Sequence, residues 1–130
     1  MTRSVRILCI DDDNEVLVLL EKLLISAGHQ VFATESVSEA LQALETENTF
    51  DICLCDYQMP EMLGDDLLRL VAEKSPDTVR LLMSGYPNTR RINQATLDGA
   101  CNAFIQKPIN FPEFLKTLNS PPHAAGVLKQ

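Results

Sequence analysis

Five short, mostly apolar runs, each halted by polar or charged residues and each followed by a segment with helical signals, restrict this chain to alternating strand and helix. The runs are residues 5–10, 30–34, 52–55, 79–83 and 104–106. Apolar runs of this kind suit strands covered on both faces, and such strands lie parallel, joined by right-handed helical crossovers. Helices are expected at residues 14–27, with Gly28 as C-cap, and from the capping-box sequence Ser36-Val37-Ser38-Glu39 through Leu44. Three more are expected at 67–73, at 89–97 with Gly99 closing it, and from an Asn110-x-x-Glu113 cap through Leu118. The expected architecture is α/β: a five-stranded parallel doubly wound sheet in three α/β/α layers. On the first helix, Val16, Leu19, Leu20, Leu23, Leu24 and Ala27 follow the core-facing spacing. Leu17, Val18 and Ile25 fall off that face, either as a partner-docking stripe or as scattered exposed apolar residues.

With 130 residues, 45% hydrophobic and 22% charged, the chain suffices for one domain and not for two of ordinary size. That domain is expected over residues 1–120, with 121–130, opening on Pro121-Pro122, as a tail or linker. A net charge of −7 offers no basic excess to neutralise phosphates, so direct nucleic-acid binding is not expected. No signal-type segment opens the chain, and no run reaches the roughly 18 apolar residues of a membrane span, so a cytoplasmic protein without membrane attachment is expected. The four cysteines, Cys9, Cys53, Cys55 and Cys101, lack CxxC spacing and read as small buried hydrophobes.

In such a sheet every strand's carboxyl end shares one edge, which is where ligands bind. That edge collects Asp11, Asp12 and Asp13 from strand one, Asp56 from strand three, Ser84 from strand four and Lys107 from strand five. Asp56 closes the run 52–55 and is followed by Pro60 and Gly64, so it is displayed on a loop before the next helix. Carboxylates within about 4 Å repel by roughly 4 kcal/mol per pair at an effective dielectric near 20. A hard divalent ion with oxygen ligands relieves this, and Mg²⁺ is favoured because it uses a few carboxylates, a carbonyl and several waters. With Lys107 as a further positive charge and the Ser84 hydroxyl as a donor, the set suits in-line phosphoryl transfer onto Asp56 as nucleophile.

These residues carry a family resemblance. ILCIDDDN, DICLCDYQMPEMLG, LLMSGY and FIQKPI resemble, in order, the acidic-pair strand, the phosphoacceptor stretch, the hydroxyl-bearing strand end and the lysine strand of response regulator receiver domains of two-component signalling. The resemblance runs from about Val5 to Asn119. It implies a flavodoxin-like receiver fold, with Asp11 and Asp12 as the acidic pair, Asp56 as phosphoacceptor, Ser84 as switch hydroxyl, Lys107 as phosphate-binding lysine and Phe104 as aromatic switch. It also implies the Gln58 backbone carbonyl as a ligand to Mg²⁺ beside Asp11, Asp12 and Asp56, and a cis Lys107-Pro108 bond. The partners implied are a sensor histidine kinase or phosphotransfer protein, and an output domain or downstream protein. A homodimer through helix four, strand five and helix five is a further expectation. Leu63 stands where an aspartate or similar polar residue is frequent, and residues 99–104 resemble the subgroup that often precedes an HD-type phosphodiesterase or another output domain.

Two other readings compete. A haloacid dehalogenase-type phosphatase shares the order Asp11-x-Asp13, Ser84, Lys107, but needs a further acidic pair after the lysine, where only Glu113 follows. A phosphorylation-independent interaction domain of the same fold is the binding-module alternative. The favoured reading is a signalling domain that assists only its own phosphoryl transfer and dephosphorylation and is not an enzyme.

Overall fold

Side chains alternate across a strand, so apolar strands must feed two cores, one on each face of a sheet. The computed structural model of the chain describes residues 4–46, 49–85 and 90–119. Along them run β1 (Arg6–Ile10), α1 (Asn14–Ser26), β2 (Gln30–Thr34), α2 (Val37–Thr46), β3 (Ile52–Asp56), α3 (Gly64–Lys74), β4 (Val79–Ser84), α4 (Arg90–Leu97), β5 (Ala103–Gln106) and α5 (Phe111–Asn119). Among the described residues the strands form one sheet in the order β2-β1-β3-β4-β5, every pair parallel. Ile7, Cys9, Leu54 and Met83 face one way, against Leu20 and Leu24 of α1 and Phe114 and Leu118 of α5. Leu8, Cys53, Cys55 and Leu82 face the other way, against Ala40 of α2, Leu67 and Val71 of α3 and Ile92 of α4. The three expected layers are present.

From β1 the chain steps outward to β2, then returns past β1 to β3 on the other side. Crossovers therefore diverge at the β1–β3 boundary and leave a crevice beyond the carboxyl ends of those two strands. All five residues of β3 are buried, as expected for the middle strand. The expected tail at 121–130 and the expected helix start at Thr89 lie outside the described residues. Among the described residues no helix is long and apolar enough to cross a membrane.

Helix α1 departs from the expected face. Leu17, Leu20 and Leu24 are buried, whereas Leu19 is exposed together with Val18 and Ile25. Apolar residues surround nearly the whole helix, so spacing alone left two frames open. Packing selects the frame through 17, 20 and 24. Its C-terminus matches expectation: Gly28 has φ +97° and donates to the Ile25 carbonyl, and the His29 N–H reaches the Leu24 carbonyl. These two bonds form a Schellman cap. Helix α3 begins three residues before the expected start, at Gly64, with Asp65 and Asp66 in the first turn, where carboxylates complement the helix dipole.

Strand β4 hides a charge. Arg80 is 6% exposed, and its guanidinium donates to the carbonyls of Pro76, Thr78, Gly99 and Ala100, while its N–H donates to Asn102 Oδ1. The residue pins the loop entering β4 and the loop entering β5 to each other. The four cysteines are free and buried, and burial pushes the Cys53 thiol up to about 12, in keeping with their expected role as small hydrophobes.

His29, at the edge of the sheet away from the crevice, is buried, and its Nδ1 accepts the Val5 N–H at 3.2 Å. The ring must stay neutral to accept, and burial holds its pKa below 6.5. The unfolded chain then binds the proton more readily. This contribution to stability is complete above pH 6.5 and is lost as pH falls below it. Urea unfolding of the wild type and His29→Gln between pH 8 and 5.5 should show their midpoints separating with pH. A wild-type-minus-variant difference that does not change below pH 6.5 would contradict the assignment.

Candidate functional site

The crevice holds the acids. Ile10 pairs with Cys55, so Asp11 and Asp56 follow at the ends of adjacent strands. Asp11 is fully buried, Asp56 is 7% exposed, and Asp12 is exposed. Carboxylate oxygens of all three lie within 4.8 Å of one another. Lys107 Nζ donates to Asp11 Oδ2 at 2.7 Å and lies 3.0 Å from Asp56 Oδ1. Its backbone N–H donates to the Ser84 carbonyl at 2.9 Å, and the Lys107–Pro108 bond is cis, as expected.

One ammonium among three carboxylates leaves a negative excess in a largely desolvated place. Burial first pushes Asp56 up to about 6; the hydrogen bond from Lys107 opposes this, and the charges of Asp11 and Asp12 add to it. For Lys107 burial acts downward, but its hydrogen bonds to Asp11 and Asp56 outweigh it and hold the pKa above the usual lysine value. The donor set, hard oxygens with at least one carboxylate open to solvent, fits a small divalent cation.

The structure brings Asp11, Asp12, Asp56 and Lys107 together. Ser84 is buried at the end of β4, one step beyond Met83, the register partner of Asp56. Gln58 lies on the loop after Asp56, where its backbone carbonyl remains the ligand implied by resemblance. Phe104 stands apart from the acids: it pairs with Leu82 and packs, half-buried, on the core cluster that includes Ile92 and Ala95 of α4. Asp13 has a different task. Its side chain accepts the N–H groups of Glu15 and Val16, making it the N-cap of α1.

Gly64 and Glu61 set the geometry without contributing a side-chain ligand to the cluster. Gly64, expected as a turn position, is instead the first residue of α3, with its N–H on the Tyr57 carbonyl at 2.6 Å. A Cβ there would overlap the Asp56 carbonyl oxygen and press on Leu82 Cδ1 at 2.9 Å. Close approach, not φ, requires glycine. Glu61 Oε2 accepts the Val37 N–H at 3.2 Å and so caps α2 from 24 residues away. Sequence spacing held no signal for that contact. Ser36 Oγ accepts the Glu39 N–H as expected of a capping box, but the Glu39 carboxylate takes the Thr34 hydroxyl instead of closing the box. Leu63, the N-cap residue of α3, supplies no side-chain acceptor.

Two predictions concern stability. A carboxyl whose folded pKa is raised contributes stability at low pH that is lost as pH rises through about 6, so ionised Asp56 opposes folding at pH 7.5. In chelator at that pH, Asp56→Asn should stabilise the chain by about 1–3 kcal/mol. A lower urea midpoint for the variant would overturn this account. Gly64→Ala should destabilise by about 1–3 kcal/mol through overpacking, with NMR shifts of the Asp56 and Tyr57 amides moving most. Wild-type stability and unmoved amides would show that the loop has room for the methyl group.

The chain matches the response regulator receiver domain family over residues 7–119. It is 37% identical over 116 residues to the two-component response regulator ARR14 of Arabidopsis thaliana, covering 88% of this chain and 30% of that protein. The chain spans 18% to 30% of the length of this and similar curated relatives. Among solved structures it resembles a receiver domain protein of Methanospirillum hungatei JF-1, with a TM-score of 0.83 and 27% identity, covering 91% of this chain and 93% of that one. The signal receiver domain of an HD domain-containing protein from Pseudomonas fluorescens Pf-5 superposes with a TM-score of 0.82 at 28% identity, covering 92% and 88%. With the parallel five-stranded sheet and the acid–lysine cluster in place, the chain belongs to the response regulator receiver domain family.

Proposed function

We propose that Asp56 accepts a phosphoryl group from a histidine kinase or phosphotransfer protein, and that the phosphorylated domain alters its contacts with an output domain or downstream protein. The supporting observation is Lys107 Nζ placed between Asp11 and Asp56 where three carboxylates converge. In the transfer an Asp56 oxygen forms a bond to phosphorus as the phosphorus–nitrogen bond of the phosphohistidine breaks. The imidazole leaves with that electron pair. Lys107 meets the phosphoryl oxygens with a fixed positive charge, and Asp11 holds the ammonium in place. Mg²⁺ held by Asp11, Asp12, Asp56 and the Gln58 carbonyl would neutralise charge developing on those same oxygens. The Ser84 hydroxyl is then a donor to the phosphoryl group, and Phe104 responds to its movement.

The chain acts once per phosphoryl group and is itself the acceptor, which is the behaviour of a signalling domain, not a turnover catalyst. A dehalogenase-type phosphatase finds no support, because Asp13, the second aspartate of that motif, is engaged as the cap of α1.

Incubation with acetyl phosphate and Mg²⁺ should add one phosphoryl mass to the intact protein, and Asp56→Asn should remain unlabelled. Labelling that persists in Asp56→Asn, or is equal in excess chelator, would sink the proposal. Lys107→Ala should label more slowly. Because only the carboxylate attacks, and Asp56 without metal is pushed up to about 6, initial rates at limiting Mg²⁺ should fall as pH drops through 6. Saturating Mg²⁺ should move that fall to lower pH.

A further inference from the structure

Ion pairs tie α4 to α3 at both ends of α4. At its start Arg91 Nε donates to Asp65 Oδ2 at 2.8 Å and Nη2 to Asp66 Oδ2 at 2.6 Å. Just past its end Asp98 Oδ2 accepts from Arg69 Nη1 at 2.7 Å. Asp66, Arg69 and Asp98 are partly open to solvent, where such pairs contribute little. Asp65 is different. Its side chain is 1% exposed, Oδ1 meets no donor among the described residues, and Oδ2 depends on Arg91, with Arg69 more distant at 3.9 Å. The Arg91 side chain is itself 43% exposed, but a buried carboxylate that loses its cation keeps its desolvation cost without compensation, so this pair costs more to separate than one with both partners in solvent. Ile92 and Ala95 of the same helix enter the core cluster on which Phe104 packs. A displacement of α4 therefore disturbs the Phe104 packing and strips Asp65 of its partner together.

We propose that the Asp65–Arg91 pair is a latch that holds α4 against α3 in the unphosphorylated domain and raises the threshold for switching. The inference rests on the phosphoacceptor reading of Asp56. Lys107 Nζ lies 3.0 Å from the Asp56 carboxylate, so the arrangement described pairs the lysine with the acid itself, and it is in this arrangement that Arg91 holds Asp65. A ligand that favours the switched state gains apparent affinity when the competing state is weakened. Removal of the latch should therefore tighten binding of a phosphoryl mimic without any change at the site itself.

The test uses the full chain with two variants, Asp65→Asn, which keeps the shape and loses the charge, and Arg91→Gln, together with the double variant. First, amide hydrogen exchange of residues 91–97 in the free protein should quicken at least several-fold in both single variants, with β1 and β3 amides unchanged. Second, beryllofluoride titrated with Mg²⁺ and followed by NMR should bind both variants about three- to tenfold more tightly than wild type. The double variant should gain no more than the better single one. Unchanged α4 exchange, or unchanged or weaker beryllofluoride affinity in Asp65→Asn, overturns the latch. A wild-type chain that takes up neither beryllofluoride nor a phosphoryl group overturns the reading of Asp56 and the switching role with it. In that case the exchange rates still decide separately whether the pair clamps α4.

Discussion

The arrangement depends on one electrostatic conflict: carboxylates from adjacent strand ends converge where little water remains, with a single lysine between them. Parallel strand order creates the conflict, because β1 and β3 are neighbours and each delivers an aspartate at its carboxyl end. Lys107 opposes the conflict, but burial first and the charges of Asp11 and Asp12 after it still hold the Asp56 carboxyl above its ordinary range. Such a site is held in a state of unmet charge by the hydrophobic burial of the strands beneath it. Fold stability and ligand demand are therefore opposed: the interior that makes the sheet stable is what makes these acids seek a cation.

Much of this was legible in the sequence, for a physical reason. Apolar runs that end in Asp11, Asp56, Ser84 and Lys107 mark strand termini, and parallel topology converts four distant positions into one edge. Asp13 was legible as a neighbour of the site but not as a cap, since adjacent acids look alike until the backbone assigns one of them the N–H groups of α1. The inward face of α1 was misread at Leu17 and Leu19 because a helix with apolar residues nearly all round carries no usable phase. Two buried charged residues, Arg80 and Asp65, were invisible for a related reason: Arg80 reads as a surface exception in an apolar window, and Asp65 beside Asp66 reads as an ordinary charged first turn. Only tertiary partners reveal them as interior.

Contacts that fix the site's loop are long-range and polar, and local spacing cannot announce them. Gly64 lies against the Asp56 carbonyl, and Glu61 reaches α2. The loop after Asp56 is thus bounded on one side by a close backbone approach and on the other by a helix cap. It is held by neighbours that do not share its chemistry. The position of Asp56 is set by this frame together with its contact to Lys107.

Arg80 has a consequence for how sequences of this kind can vary. Its acceptors are main-chain carbonyls, which every residue possesses, so the interaction places no demand on side-chain identity at Pro76 or Ala100. The Arg80 N–H asks separately for the Asn102 amide oxygen, so the guanidinium's own demand falls on position 80. Lysine there would offer a point charge with three donors in place of a planar fork that spans carbonyls from two loops. Side chains at Pro76 and Ala100 can therefore change without loss of the bonds that join the two loops, so long as the strand residue between them remains arginine.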